Sequence, residues 1–533
     1  MGQRGGVDAD EAPGATRRIP DALIAFLLAG LLVLPWFYSQ RRLGLDLGDE
    51  GFLWYGAVRV LHGEWPLRDF QSYDPGRYLW CAAGMAAMGD EGVLALRATV
   101  AVFQWLGLGC GVLVLLRAVR SPPLVGLGAL TFLLWMFPRH KLFEPAISMM
   151  LVYVGVLLVE RPTLRRHIVA GVAIGGAGFF GRNLGLYAAL GYLAIALLLW
   201  TRLRNSRLSL QVGGLTLGTL IGYSPMLALC IVVPGFASGF WNALVLMFSR
   251  ETMNLPLPVP WPWLIVAAEP QWLFVRSLMG GLFFLIVLVF CGTGLLALGL
   301  LSPTGVRSNP IFVSSVLVGL GYAQHVFSRA DLGHLAQGIF PVLVGLAGVP
   351  LPARLAAAGR AAIVVVLCAL SLGAAGTATP VFERAAAPGG AWVEVELGRD
   401  VLSVEPATGA VVRAVQEIDR RVVPRGETIL IAPHWPALYV ILGRRAPMRD
   451  IYNLFPTPVA VQDSLISELR RSTNWAIIGD VALDGREELR FKRTHPRVWA
   501  YLERCFEVVP SLGLPDTHRL LRRRSAIGSA KPC

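Results

Sequence analysis

Charged residues are scarce in this sequence. Only 16% of its 533 residues are Asp, Glu, Lys or Arg, whereas 55% are hydrophobic. Because soluble domains carry about 25% charged residues, this composition excludes a soluble protein for most of the chain. Apolar stretches of roughly 18 residues, long enough to cross about 30 Å of hydrocarbon, recur along the sequence. The sequence therefore predicts a polytopic α-helical membrane protein.

Cysteine is also scarce, with seven residues. Four of them, Cys110, Cys230, Cys291 and Cys368, lie inside apolar runs, so the cysteines do not resemble a disulfide framework, and no spacing typical of a metal site occurs. The net charge of +13 does not indicate a nucleic-acid partner. The basic residues lie in short clusters between apolar runs, where they set the orientation of a membrane protein.

Eleven apolar runs are candidate membrane-spanning helices. They are Ala22–Tyr38, Gly92–Leu116, Leu124–Phe137, Pro145–Val159, Ile168–Phe180, Leu184–Trp200, Leu210–Val233, Val275–Leu301, Ile311–Phe327, Leu335–Val349 and Ala361–Ala378. If Arg17 and Arg18 are cytoplasmic, every even-numbered connection is short and basic, as the positive-inside rule requires. An odd number of spans then places the C-terminal part of the chain outside the cytoplasm.

The chain divides into three parts by composition. Residues 1–20 are rich in Gly, Ala and charge, which predicts a disordered cytoplasmic N-terminus. Residues 21–378 are the predicted transmembrane domain, whose first outer loop covers residues 40–91. Residues 379–533 are predicted to form an extra-cytoplasmic α/β domain.

The pattern of apolar residues changes at Thr379, where the predicted outer domain begins. Thr428–Ala432 and Trp475–Asp480 have the short apolar pattern of buried strands, and Ser464–Arg471 has the periodicity of a helix. About 150 residues suffice for an independent core.

Carboxylates, which are rare in this chain, concentrate in the first outer loop. Within about thirty residues lie Asp46, Asp49, Glu50, Glu64, Asp69 and Asp74. Phe52–Leu61 has apolar residues at helical spacing, which predicts a helix on the membrane surface. A partly buried carboxylate just before such a helix has the environment of a general base. The structural alternative is that Asp49 only caps the helix and Glu50 adds favourable charge to its first turn.

A second group of polar residues lies at span ends on the same predicted face. Arg182 and Arg329 each interrupt an apolar sequence on the side where orientation signals are absent, and Lys141 and His334 are predicted at that face too. Arg, Lys and His groups that converge beside a carboxylate loop suit an anionic phosphate or diphosphate. The alternative for Lys141 is an interfacial anchor whose charge reaches the lipid headgroups.

Three elements of the first outer loop resemble the membrane glycosyltransferases of the GT-C fold. They are Asp49-Glu50, the segment Gly63-Glu64-Trp65-Pro66-Leu67-Arg68-Asp69-Phe70 and the step Tyr73-Asp74-Pro75-Gly76. Within that fold, the sequence resembles the branch of the protein O-mannosyltransferases and the lipid A aminoarabinose transferase. It lacks the large inserted outer domain of the protein O-mannosyltransferases, which favours a glycolipid or envelope glycan over a protein as acceptor.

The resemblance implies an inverting transfer of a sugar from a polyprenyl-phosphate donor at the outer face of the cytoplasmic (inner) membrane. Asp49 would be the general base, and Glu50 would assist it or orient the acceptor. The remaining implied site residues are Asp69, Tyr73 and Asp74, which would shape the loop or contact the acceptor, and Arg182, Arg329, Lys141 and His334, which would hold the donor phosphate. The resemblance implies no certain cofactor; a divalent metal stays open because some relatives bind one.

Two other functions fit the same composition. A transporter or flippase for a lipid-linked sugar would place polar residues near mid-membrane on repeated halves, and no internal repeat is evident. An envelope glycan polymerase or ligase would carry arginine-rich outer loops. We therefore expect a glycosyltransferase whose partners are a polyprenyl-phosphate-linked sugar, a glycan, lipid or protein acceptor, and membrane lipids, with no nucleic acid.

Overall fold

The computed structural model describes residues 18–203, 207–249, 255–387, 391–510 and 513–524. Residues 1–17, which include Arg17 and make up most of the predicted disordered N-terminus, lie outside these ranges. The last residues of that segment already belong to the first helix, which begins at Arg18.

Up to residue 386, the described chain is built from α-helices that are joined by loops and short 3-10 helices. The helices are α1 (Arg18–Gln40), α2 (Asp49–Leu61), α3 (Pro75–Met88), α4 (Val93–Ala118), α5 (Pro122–Trp135), α6 (Phe143–Glu160), α7 (Leu164–Phe180), α8 (Arg182–Leu203), α9 (Leu208–Gly222), α10 (Ser224–Val232), α11 (Phe236–Ser249), α12 (Gln271–Leu300), α13 (Pro303–Ser308), α14 (Pro310–Ser328), α15 (Leu332–Gly338), α16 (Phe340–Ala347), α17 (Ala356–Ala374) and α18 (Pro380–Ala386).

Seven helical segments of the described chain are long and apolar enough to cross a membrane. They contain α1, α4, α6, α8, α12, α14 and α17, and α9 with α10 makes an eighth span if this pair, bent by 49°, is counted as one. The other predicted runs are also helical, but they lie on the short helices α5 and α7 and on the broken pair α15 and α16. The polytopic helical architecture is confirmed, whereas the count of eleven spans stays a prediction.

The strands of the described residues all lie in the C-terminal part of the chain. The elements there are β1 (Val393–Leu397), β2 (Asp400–Val404), α19 (Pro406–Arg421), β3 (Ile429–Ala432), α20 (Ala437–Ile441), α21 (Val459–Ser472), β4 (Trp475–Gly479), α22 (Phe491–Thr494), α23 (Pro496–Cys505), β5 (Phe506–Val509) and β6 (His518–Arg523).

These strands form an antiparallel hairpin, β1–β2, and a four-stranded sheet in the order β3-β4-β6-β5. In the sheet, β3 and β4 are parallel, whereas β6 is antiparallel to both β4 and β5. Every residue of β3 and β4 is buried, which is why these two strands could be predicted from their apolar runs. The α/β character of this C-terminal domain, called the outer domain below, is confirmed. Its location outside the cytoplasm and its exact boundary at residue 379 stay predictions.

Helix α2 lies between the membrane helices and the outer domain. Residues Glu50–Val58 are buried, so the prediction of a helix on the membrane surface was wrong in its location, because protein rather than lipid covers its apolar residues. Gly51 permits this packing, since a Cβ there would lie 2.4 Å from the backbone nitrogen of Ala437 in α20. The Tyr55 hydroxyl accepts a hydrogen bond from the N–H of Ala446 (3.1 Å). The first outer loop and the outer domain are thus packed together.

Candidate active site

Asp46 organises the start of helix α2. Its Oδ1 accepts hydrogen bonds from the backbone N–H groups of Gly48 (2.9 Å) and Asp49 (3.0 Å). A side chain in this arrangement satisfies N–H groups that the first turn of a helix otherwise leaves without partners. Asp49 is therefore not needed as the helix cap. Its carboxylate faces the site instead, with 35% of the side chain exposed.

Glu50 anchors this loop to the membrane domain. Its carboxylate is 2% exposed and pairs with Arg97 of α4 through two oxygen–nitrogen contacts, each of 2.7 Å. Arg97 also donates hydrogen bonds to the backbone carbonyls of Arg41 and Gly44. Burial raises the pKa of Glu50, but the charges of Arg97 and Arg139 outweigh burial and lower this pKa to about 2. Glu50 is therefore ionised, and it holds the loop in place.

Asp49 lies where the loop meets the outer domain. Its Oδ1 accepts a hydrogen bond from the Tyr452 hydroxyl (2.5 Å), and its Oδ2 lies 3.4 Å from Nε2 of His140. Burial raises the pKa of Asp49, but the charge of Lys141 and the contact with His140 outweigh burial and hold the pKa well below its usual range. Asp49 is therefore an ionised carboxylate, and among the described residues its Oδ2 has only the longer contact with His140.

Lys141 contacts Tyr73, and its charge also acts on Asp49. Its Nζ donates a hydrogen bond to the Tyr73 hydroxyl (2.5 Å) and lies 4.3 Å from the centre of the ring. The guanidinium of Arg77 lies 4.9 Å from the same ring and pairs with Glu144 at 2.7 Å. Two cations therefore flank Tyr73, and the one that acts on the Asp49 carboxylate is Lys141.

Asp69 and Asp74 support the far end of the loop. Asp74 accepts a hydrogen bond from the backbone N–H of Arg182 (2.8 Å). The Asp74 carboxylate also pairs with the side-chain Nε of Arg182 (2.9 Å). Asp69 pairs with Arg68 at 2.7 Å and accepts a hydrogen bond from the N–H of Trp65 (2.8 Å), which closes a turn. Burial raises the pKa of Asp74, and Arg182 opposes that effect. Both carboxylates thus have contacts within or beside the loop that fix its shape.

Arg329 and His334 share Asp331 as a partner. Arg329 Nε lies 2.7 Å from Asp331, and His334 Nδ1 lies 2.9 Å from the other oxygen of that carboxylate. Arg329 also pairs with Asp484 of the outer domain (2.9 Å) and donates to the carbonyl of Leu255 (2.8 Å). The predicted phosphate-binding cations therefore fall into three local groups, namely Lys141 at Asp49, Arg182 at Asp74, and Arg329 with His334 at Asp331.

A cavity of about 150 Å³ reaches Asp46 and His140 between α1, α4 and the segment that follows α5. Apolar side chains make up part of its wall, among them Trp36 and Phe37 of α1. Gln104 of α4 also lines it and is 4% exposed. A cavity with apolar walls and a few polar groups suits part of an amphiphilic molecule.

No protein-family model and no curated protein matches this sequence. The crystal structure of ArnT from Cupriavidus metallidurans in the apo state matches 94% of this chain and 97% of its own, with a TM-score of 0.54 and 15% identity. The same protein bound to undecaprenyl phosphate matches 95% of this chain and 98% of its own, with a TM-score of 0.53 and 15% identity. The apo oligosaccharyltransferase of Archaeoglobus fulgidus matches 94% of this chain and 75% of its own, with a TM-score of 0.46 and 10% identity.

This chain has the GT-C fold. The match to ArnT extends over nearly the whole of both chains, so it includes the membrane helices, the first outer loop and the C-terminal domain. The fold expected from the motifs of the first outer loop is therefore confirmed.

Three residues around the first outer loop were not predicted from the sequence. Tyr452 and His434 come from the outer domain; Tyr452 is 403 positions from Asp49, so no local pattern could connect them. The negative charge of Asp49 raises the pKa of His434, but burial is the larger effect and lowers this pKa. Arg97 carried a usable signal, because a charge inside an apolar run is costly unless it is paired.

Asp46, Asp49 and His140 could together hold a divalent cation. One ligand atom from each lies within 4.8 Å of the others, and two carboxylates with an imidazole are ligands that zinc accepts. His140 is 8% exposed, and within the described part of the chain its Nε2 has only the 3.4 Å contact with Asp49, which fits a ligand. The ammonium of Lys141 opposes a further cation at Asp49. The donor set therefore fits a metal, although a positive charge is already present beside it.

Proposed function

We propose that this protein is an inverting membrane glycosyltransferase that moves a sugar from a polyprenyl phosphate to an acceptor hydroxyl. The observation that carries the proposal is the Asp49 carboxylate, ionised, fixed by Tyr452 and flanked by His140 and Lys141. ArnT, whose fold this chain shares, has been solved with undecaprenyl phosphate bound, which supports a lipid-phosphate donor.

In the proposed reaction, the acceptor oxygen attacks the anomeric carbon of the sugar. Asp49 Oδ2 takes the proton of the acceptor hydroxyl as the new carbon–oxygen bond forms. The bond from the anomeric carbon to the phosphate oxygen breaks, and its electron pair leaves with the lipid phosphate. Because the acceptor attacks from the face opposite the phosphate, the configuration at the anomeric carbon inverts. The low pKa keeps Asp49 in the ionised form, which is the form that accepts a proton, but it also lowers the strength of Asp49 as a base.

The leaving phosphate gains negative charge as the bond breaks, and fixed cations favour that transition state. We assign this role first to Lys141, because it is the cation that acts on the Asp49 carboxylate. Arg182, Arg329 and His334 remain the other donor-phosphate residues of the proposal, although each must bind the phosphate in competition with a neighbouring carboxylate. If a divalent cation is bound by Asp46, Asp49 and His140, it would supply further positive charge.

The supporting residues have separate roles. Glu50 positions Asp49 by fixing the loop to Arg97, and Asp69, Tyr73 and Asp74 shape the loop around the site. We place the reaction at the outer face of the cytoplasmic membrane, with the C-terminal domain on that side. The acceptor we favour is an envelope glycan or a lipid, since the cavity lined by Trp36, Phe37 and Gln104 offers an amphiphile a route to Asp46 and His140.

The test is a transfer assay with purified protein in lipid nanodiscs. Undecaprenyl-phosphate-linked sugars are supplied as donors together with lipid and glycan acceptors, and release of undecaprenyl phosphate is followed. We expect wild-type protein to consume one of these donors and Asp49→Asn to lower the rate by about 10²- to 10⁴-fold, the usual contribution of a general base.

Asp463→Asn is the matched control, because this carboxylate lies on the outer domain in an exposed pair with Arg497. It should react at the wild-type rate. The same assay with EDTA measures any contribution of a divalent cation. A wild-type rate in Asp49→Asn, or no consumption of any polyprenyl-phosphate sugar by the wild type, would contradict the proposal.

A further inference from the structure

We propose that the outer domain completes the active site through Tyr452, a positioning residue that fixes the carboxylate of Asp49. This inference rests on the proposed function, because it concerns the orientation of the same general base. It goes further because it assigns the C-terminal domain to the catalytic machinery. The alternative is that this domain only binds an acceptor or only covers the membrane helices.

Tyr452 contacts Asp49 directly. The Tyr452 hydroxyl donates a hydrogen bond of 2.5 Å to Asp49 Oδ1. Hydrogen bonds to an ionised acceptor are shorter and stronger than those between neutral groups. The Tyr452 ring also packs against Phe52 of α2, with ring centres 5.1 Å apart. Since both the hydroxyl and the ring contact the first turn of α2, Tyr452 is fixed with respect to Asp49.

The first outer loop also holds the backbone of Tyr452 in place. The side-chain carbonyl of Gln71 accepts hydrogen bonds from the backbone N–H groups of Ile451 (3.0 Å) and Tyr452 (2.9 Å). The backbone N–H of Gln71 donates to the carbonyl of Arg449 (2.9 Å). Arg449 in turn donates through Nη2 to the carbonyl of Leu67 (2.6 Å). The loop that carries Asp49 therefore also binds the segment that carries its hydrogen-bond donor.

The hydrogen bond from Tyr452 restricts the orientation of the Asp49 carboxylate. A carboxylate with both oxygens free rotates about its last side-chain torsion, which is broad and roughly two-fold. Tyr452 removes this freedom by engaging Oδ1. Oδ2, whose only contact among the described residues is His140 at 3.4 Å, is then the oxygen presented to an acceptor hydroxyl. Fixing the base in this way lowers the entropy cost of the transition state without adding affinity for the donor.

The experiment compares Tyr452→Phe, Gln71→Ala and Tyr501→Phe in nanodiscs with the donor that the wild type consumes. Tyr452→Phe keeps the ring but removes the hydroxyl, and we expect kcat to fall at least about tenfold with the donor KM within about twofold of wild type. Gln71→Ala loosens the 451–452 backbone, so kcat should fall in the same way but by less. Tyr501→Phe, which removes a hydroxyl from the separate core of the outer domain, should leave kcat unchanged.

Thermal unfolding of each variant is measured alongside. If Tyr452→Phe keeps the wild-type kcat, or if kcat falls only in proportion to a loss of folded protein or a rise in donor KM, Tyr452 does not position the base. Such a result would leave the proposed function intact, because the wild type would still transfer sugar and Asp49→Asn would still be inactive. If the wild type consumes no polyprenyl-phosphate sugar, the proposed function fails, and this inference fails with it.

Discussion

Replacing Glu50 by Gln should strongly destabilise the fold. Glu50 is 2% exposed and Arg97 is 3% exposed, so the substitution leaves a buried guanidinium without its charge partner. Removing one member of a buried ion pair costs about 3–5 kcal/mol, since the other charge stays desolvated. The pKa of Glu50 gives an independent magnitude. Its lowering from 4.5 to about 2 corresponds to about 3 kcal/mol of stabilisation at neutral pH.

The pH dependence follows from the sign of this change. The pKa of Glu50 is lower in the folded than in the unfolded protein, so its stabilisation is complete above about pH 4.5 and is lost as the pH falls toward 2. The difference in stability between wild type and Glu50→Gln should therefore be about the same at pH 7 and pH 5.5. It should narrow below pH 4.5.

The assay is denaturant titration of the purified proteins in mixed micelles, at each of these pH values. Glu417→Gln is the matched control, because Glu417 forms exposed pairs with Arg420 and Arg421 on α19, and exposed pairs contribute about 1 kcal/mol or less. We expect a loss of about 3 kcal/mol for Glu50→Gln and less than about 1 kcal/mol for Glu417→Gln. Equal, small losses would refute the view that Glu50 holds the loop through its charge.

Two further predictions concern the cations. Lys141→Met should lower the transfer rate by about tenfold or more, because it removes the positive charge beside Asp49 and Tyr73; a rate within twofold of wild type in the nanodisc assay would show that this charge is not used. Asp484→Asn should tighten the binding of undecaprenyl phosphate several-fold if Arg329 binds the donor phosphate, because it removes a carboxylate that now pairs with Arg329. Unchanged affinity, measured by titration of the lipid into the purified protein, would give Arg329 a purely structural role.

Several elements could be predicted because their signal is local. An apolar run needs no partner to be recognised, and the buried strands β3 and β4 were found in the same way. The concentration of carboxylates in the first outer loop is also a local signal, and it predicted a site in this loop. In the structure this loop does carry Asp49 at the start of α2, beside His140 and Lys141.

Other elements depend on which groups meet in space. The helix at Phe52–Leu61 was correctly predicted, but its apolar residues could pack against lipid or protein with equal ease, and the outer domain decided between them. In the sequence, Arg329 interrupts an apolar stretch, whereas Lys141 could be only an interfacial anchor, and both were predicted to hold the donor phosphate. Packing gave Arg329 two carboxylate partners, whereas Lys141 contacts Tyr73 and its charge acts on Asp49.

The sequence by itself determined that the chain is a membrane protein, because the transfer of apolar side chains out of water adds up residue by residue. It also determined that a cluster of acidic residues lies in the first loop. Only the tertiary structure decided the role of each polar group. A buried charge must find a partner, and that partner can lie anywhere in the chain. Glu50 is therefore neutralised by Arg97, and Asp49 receives its hydrogen bond from Tyr452 of the outer domain.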